Sequence, residues 1–358
     1  MAYRPLTNAL TWSVSRRQAF AQCPRAYYYR YYGAWGGYSP QAPLAARMLY
    51  LLKNMTAFPL WAGTVVHGII QDTLREFRGN RVRPELKALQ EMARKRLNDG
   101  WLASLAVNRA WQEARETGEG ERGFLERLGG ALPKSQTLLF EHFYSVYGPD
   151  VPREQTQALR QKVFDSLEGF LSSGVLQAIA GLEDTAWGSI DLCQEFIIGE
   201  LPPLKNAGSL PLKVWCAPDF SYQDREGRWH VVDWKTGQEH REELRFQLAC
   251  YALFTMNTRK IPLEQLVLEG VFLNDAGRTA QYAVTRESLV NTQDQILKSA
   301  GAMRARLSDP AENLACEEDF PYAASQDSCL RCPFQLLCPR RNGRPDARVE
   351  EILEGEFP

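Results

Sequence analysis

An α/β fold with a mixed central sheet is what this sequence predicts, and three observations predict it. Residues Cys216 to Lys235, CAPDFSYQDREGRWHVVDWK, set aromatic and β-branched flanks around a turn rich in Asp, Arg and Gly, which is the pattern of a β-hairpin. Leu266 to Leu273 is a nearly unbroken apolar run of strand length, as a strand buried on both faces requires. Trp61 to Phe77, Arg241 to Met256 and Arg286 to Leu307 read as helices, with Thr279 to Val284 as a further strand. The order helix, strands, helix, strand fits a sheet covered by helices.

The hairpin also carries chemistry. It brings Asp219 towards Asp233, and Lys235, two residues on, shares the face of Asp233. Two neighbouring carboxylates repel unless one is protonated or a cation lies between them. Hard oxygen ligands suit Mg²⁺ or Mn²⁺. A lysine beside such a site can hold a phosphate oxygen or polarise an attacking water, so the set suits phosphodiester hydrolysis. The alternative is a plain solvated hairpin.

The chain has 358 residues, enough for one large domain with an insertion or for two domains. It is 44% hydrophobic and 24% charged, ordinary for a globular protein. No run of eighteen apolar residues is present, and the opening MAYRPLTNALTWSVS has no secretory core, so a cytoplasmic protein with no membrane partner is expected. Eight cysteines, three of them crowded near the C-terminus, point to a metal or cluster site rather than a disulfide framework. The net charge is −1, yet the seven Lys and Arg before Asp72 face no Asp or Glu there, so that segment carries +7 and the rest −8. Such asymmetry predicts a localised face for a polyanion.

In chain order, residues 1–60 form a basic, aromatic segment. Ser15 with Gln18 reads as a capping box, opening a short helix that ends near Cys23-Pro24. Tyr27 to Tyr32, interleaved with Arg25 and Arg30, either stack on bases or line a core. Residues 61–78 form a core helix on which His67 is a metal ligand or a satisfied core histidine. Residues 79–186 read as a charged helical insertion, broken at Glu116–Gly120 and Tyr147–Pro149, that shapes a DNA channel or serves structure alone. Residues 187–315 hold the sheet. Its first strand, Gln194 to Gly199, is placed beside the Asp219 hairpin, with Glu195 as a salt-bridge residue or a metal ligand. Gln247 and Tyr251 share one helix face, as a functional or merely buried pair. Residues 316–358 carry Cys329, Cys332 and Cys338 in a C-x₂-C-x₅-C pattern, for which Cys23 is the candidate fourth ligand and Cys316 its substitute. Zinc and a [4Fe–4S] cluster both accept four thiolates. No G-x₄-G-K-[S/T] motif is present, so the chain carries no recognisable motor.

Together, Cys23-Pro24, Gly63-Thr64-Val65-Val66-His67, Pro218-Asp219…Asp233-Trp234-Lys235, Gln247…Tyr251 and the C-terminal cysteines stand in the order found in RecB-like and AddB-like PD-(D/E)XK nucleases, which the sequence resembles. It is also similar to the cluster-containing CRISPR adaptation nucleases. The resemblance implies a restriction-endonuclease-like core and a metal-dependent DNA nuclease. In it Asp219, Asp233, His67 and the carbonyl of Trp234 hold Mg²⁺ or Mn²⁺. Lys235 orients the water, Gln247 and Tyr251 position the strand, and Cys23, Cys329, Cys332 and Cys338 bind a [4Fe–4S] staple. The implied partners are DNA, single-stranded or with free ends, and a helicase or a CRISPR or defence protein. The rivals are a non-catalytic DNA-binding scaffold of the same fold and a zinc-stapled defence endonuclease.

Overall fold

In the computed structural model, which describes residues 8–128, 137–144, 150–204 and 207–340, the N-terminal stretch folds as α1 (Val14–Gln22) and α2 (Pro24–Tyr28). A π-helical turn, Tyr29–Gly33, leads to α3 (Leu44–Leu52), β1 (Met55–Thr56) and the long α4 (Phe58–Asn80). Next come α5 (Leu86–Glu116), α6 (Gly120–Arg127), β2 (Leu138–Leu139), α7 (Phe140–Tyr144), α8 (Arg153–Ser172) and α9 (Val175–Ile179). The β-rich half follows, with β3 (Trp187–Ile190), β4 (Gln194–Leu201), β5 (Leu210–Cys216), β6 (Phe220–Gln223) and β7 (Trp229–Lys235). After α10 (Arg241–Arg259) come β8 (Leu266–Phe272), β9 (Arg278–Gln281), α11 (Arg286–Arg304) and the short α12 (Asp327–Leu330).

The central sheet has five strands in the order β3-β6-β7-β8-β9. Only β7 and β8 run parallel, joined by α10 as a parallel pair requires, so the sheet is mixed as expected. Alternation along β7 divides the core. Trp229 and Val231 pack with Leu244 and Leu248 of α10, while Val232 and Trp234 pack with Val66 and Ile70 of α4 and Leu167 and Phe170 of α8. Asp233 and Lys235 therefore emerge on the α10 face, where β7 ends.

Several expectations need correction. The cap of α1 is Ser13, whose hydroxyl accepts the Arg16 N–H; Ser15 lies already inside the helix. The run from Cys216 to Tyr222 is not one strand. Proline has no N–H to give, and at Ala217-Pro218 the chain leaves one sheet and enters another: β5 pairs with β4, whereas β6 pairs with β7. Gln194 to Gly199 accordingly lies in a separate ribbon against α11. The place beside the hairpin belongs to β3, a strand absent from the expectations, whose Trp187 is buried against Phe220.

Several cations of the basic segment are engaged within the fold. Arg25 is ion-paired with Glu317 and donates to the Phe320 carbonyl; Arg30 donates to the Lys53 carbonyl; Arg16 and Arg17 lie over the rings of Tyr31 and Phe246. Tyr27, Tyr28 and Tyr29 are buried against Phe320 and Phe334, so they are core and not a base-stacking platform. Only Trp35 and Tyr38 of that aromatic stretch are exposed. Arg4, Arg341, Arg344 and the expected break at Tyr147–Pro149 lie outside the described residues. Among the described residues no helix is long and apolar enough to cross a membrane.

On the α4 side of the sheet, His230 is buried between Asp224 and Glu269, 3.0 Å from each carboxylate, and stacks on Tyr222. Burial works against its charged form, but the two carboxylates outweigh it and the pKa is raised. A raised folded pKa stabilises fully below the unfolded value, about 6.5, and that stability is lost as pH climbs through the folded value. Urea unfolding of wild type and His230→Gln should therefore differ by about 1–3 kcal/mol at pH 6, with the gap narrowing by pH 9. A gap that is constant or widens with pH refutes a charged His230.

Candidate active site

Asp219 lies where the chain crosses from β5 to β6, opposite the end of β7. Its Oδ2 accepts the Trp234 N–H at 2.7 Å, and its Oδ1 is 3.2 Å from His67 Nδ1 on α4. Asp233, at the β7 position opposite Asp219 in the β6–β7 register, is 1% exposed, with Oδ2 2.6 Å from Lys235 Nζ. Gln247 on α10 bridges the group: its amide donates to Asp233 Oδ1 at 3.0 Å and to Tyr251 Oη at 2.8 Å, while its Oε1 accepts from Lys235 Nζ at 2.9 Å. Tyr251 in turn donates to the Ala217 carbonyl at 3.1 Å, which fixes the segment that delivers Asp219. One hydrogen-bonded chain thus runs from Lys235 to the backbone beside Asp219.

Why the sequence folds this way is local. Helical spacing of four puts Gln247 and Tyr251 on one face, and strand spacing of two does the same for Asp233 and Lys235. The group stands at the end of β7, where it pairs in parallel with β8, and open α/β sheets place their ligands beyond such strand ends.

The electrostatics favour a cation. Burial, and after it the charge of Asp219, push Asp233 upward from the ordinary carboxylate range. Burial would lower His67, but Asp219 more than offsets it and the pKa rises to about 9. Asp233 Oδ2 is buried against the Lys235 ammonium, 2.6 Å away. Carboxylate oxygens with an imidazole beside them are donors for a hard divalent cation, so Asp219, Asp233 and His67 fit Mg²⁺ or Mn²⁺. Among the described residues no three His, Cys, Asp or Glu side chains already converge on one point. The Trp234 side chain takes no part; it is buried edge-on against Phe170.

Glu195 stands apart on the β4–β5 ribbon, exposed and 3.4 Å from Lys213, in the salt-bridge role. Sequence reasoning missed Asp191. It directly follows β3 with φ +43°, and its N–H donates to the Asp219 carbonyl at 2.8 Å, which sets a third carboxyl beside the site. Partial burial and the Asp219 charge raise its pKa. Recognising Trp187–Ile190 as a strand would have revealed it.

At the far end, Cys23, Cys329, Cys332 and Cys338 line one cavity of about 410 Å³. Cys23 Sγ accepts the Ala26 N–H at the start of α2. Burial pushes the Cys332 thiol up to about 12 and raises Cys338 as well. Arg30, Arg331 and Arg340 line the same cavity, positive charge of the kind an anionic thiolate centre needs. Cys316 is exposed and is not among the lining residues; Cys216 and Cys250 are buried in the core.

A family model described as the PD-(D/E)XK nuclease superfamily matches residues 11–339. No curated protein matches the chain.

With its pKa near 9, His67 is protonated at neutral pH. A cation held by this histidine must displace that proton. Calorimetry of Mn²⁺ binding at pH 7.5, in buffers of different ionisation enthalpy, should show about one proton released. His67→Ala should remove the release and weaken binding. Mn²⁺ affinity unchanged in His67→Ala excludes His67 as a ligand.

Proposed function

The chain belongs to the PD-(D/E)XK nuclease superfamily, and on that premise we propose that it is a metal-dependent deoxyribonuclease of the RecB-like and AddB-like kind. Its substrate is single-stranded DNA or DNA with free ends. The observation that carries this reading is the joining of Asp219, Asp233 and Lys235 at one strand end by the Gln247–Tyr251 hydrogen bonds. Asp219, Asp233, His67 and the Trp234 carbonyl hold the Mg²⁺ or Mn²⁺, which when bound polarises the phosphate and its attacking water. Lys235, tethered by Gln247, orients that water and meets the charge that develops on the phosphoryl oxygens. Gln247 holds Lys235 and Asp233 in register, and Tyr251 keeps the Asp219 segment at its distance.

The intact catalytic set favours an enzyme over a DNA-binding scaffold. For the terminal thiols we favour a [4Fe–4S] cluster over zinc. That preference rests on the resemblance; the four cysteines line one cavity. The preference for unpaired DNA rests on the resemblance and on exposed Trp35 and Tyr38, since the buried tyrosines are unavailable for stacking. The setting that fits is repair, CRISPR adaptation or phage defence, with a helicase or a CRISPR or defence protein as partner, in the cytoplasm.

Asp233→Ala and Lys235→Ala should each lower Mg²⁺- or Mn²⁺-dependent cleavage of single-stranded DNA a hundredfold or more, with binding largely kept. Wild-type cleavage by Asp233→Ala, in a preparation free of contaminating nuclease, removes the assignment. Protein purified without air should be brown and contain iron, and Cys23→Ala should bleach it and lower its melting temperature. One equivalent of zinc without iron in such protein decides for the rival.

A further inference from the structure

Helix α4, which carries His67, begins without a cap of its own. Ala57 before it makes no side-chain hydrogen bond, and Pro59 has no N–H. The Phe58 N–H is taken instead by Glu141 Oε1 at 2.9 Å, from α7, 83 residues on. We propose that Glu141 is a positioning residue for His67, setting through α4 how closely that imidazole stands to Asp219. The proposal rests on the nuclease reading and gives the helical insertion a task in it.

The placement of Glu141 is built into the fold. Parallel pairing of Met55 with Leu138 and of Thr56 with Leu139 starts α4 and α7 side by side. Helix α7 is in turn fixed to α5. His142 Nδ1 lies 2.8 Å from Ser104 Oγ, the Asn108 amide donates to the His142 carbonyl at 2.9 Å, and all three residues are buried. At its end the Tyr144 hydroxyl donates to the carbonyl of Pro333, the residue after Cys332, at 3.1 Å. Glu141 therefore reaches Phe58 from an element anchored both to α5 and to the cysteine segment.

What fixes the start of α4 is felt at His67. The two lie on one helix, Phe58–Asn80, and nine residues at ~1.5 Å each put His67 about 13.5 Å from Phe58. Between them α4 passes close to the end of β7: a Cβ on Gly63 would lie 3.2 Å from Thr236 Oγ1. The apolar side chains of α4 press it on the sheet, but that attraction has no direction. The bond at its start does, and it fixes where the helix stands along its own axis. His67 Nδ1 is 3.2 Å from Asp219 Oδ1, at the outer edge of a hydrogen bond, so a small shift of α4 is enough to part them.

The test is calorimetry of Mn²⁺ binding to the full chain, with the melting temperature of each variant alongside. Glu141→Ala should weaken Mn²⁺ binding several-fold. Glu141→Gln, whose amide oxygen can still accept the Phe58 N–H, should bind as wild type does. In a His67→Ala background Glu141→Ala should cost nothing further, because the residue it positions is gone. Adding Ala57→Ser to Glu141→Ala gives α4 a local cap, which should restore the melting temperature and leave the Mn²⁺ affinity low. Affinity restored by Ala57→Ser would make Glu141 a cap and nothing more. That result, unchanged affinity in Glu141→Ala, or an equal loss with and without His67 overturns the inference and leaves the nuclease reading standing. A wild type that binds no Mn²⁺ overturns both.

Discussion

The open end of the sheet depends on one constraint: Asp233 is a carboxylate with almost no access to water. Burying such a charge costs several kcal/mol unless it is paired and hydrogen-bonded. Lys235 supplies the charge and Gln247 the hydrogen bond. Lys235 is bound to the same strand, and Gln247 spends both amide hydrogens and its carbonyl oxygen within the site. The packing of α10 on β7 is therefore coupled to the chemistry. Tilting that helix would break the contacts that make a buried Asp233 tolerable, so the fold holds Asp233, Lys235 and Gln247 in place through ordinary burial costs.

The site was legible in the sequence because its geometry is local. Spacings of two on a strand and four on a helix place Asp233 with Lys235 and Gln247 with Tyr251 whatever the rest of the chain does. Asp219 was legible through the hairpin, since β6 and β7 are joined by a short turn. What stayed hidden was pairing between segments distant in sequence. Gln194 to Leu201 looks like any half-buried strand, and nothing in its residues says that β5 rather than β6 is its partner. Asp191 was missed for the same reason, because the four-residue strand before it is too short for alternation to mark. The charge pattern misled differently. A count of arginines measures charge and not direction, and Glu317, which neutralises Arg25, lies almost a whole chain away.

The two ends of the chain meet through more than their cysteines. Arg25 and Tyr29 both reach Glu317, the Arg25 N–H donates to the Pro321 carbonyl, and Tyr27 and Tyr29 pack on Phe320 and Phe334. Joining Cys23 to Cys329 closes a loop of about 300 residues, worth on the order of 5 kcal/mol in unfolded-chain entropy. That entropy is felt only if the bond survives unfolding, whereas the aromatic and ionic contacts act in the folded state alone. A cluster at these thiols would then be a clamp on ends that already touch.

The helical stretch before the sheet has a different relation to the site. Val163, Leu167 and Phe170 of α8 share one core with Val232, Trp234 and Val271, so this helix covers the sheet face opposite α10. The strand that carries Asp233 is thus held from both sides, by α10 through polar bonds and by α8 through apolar burial. The two glycines at the α8 contact explain how close the helix comes: Gly277 has φ +72°, and a Cβ there would lie 2.0 Å from the Gly169 carbonyl oxygen. An alanine at either position would push α8 outward, and the Ser166–Asn274–Thr236 hydrogen bonds would be the first to part. Those bonds hold the turn directly after Lys235. Backbone contact between two glycines and the aim of Lys235 are therefore parts of one mechanical arrangement.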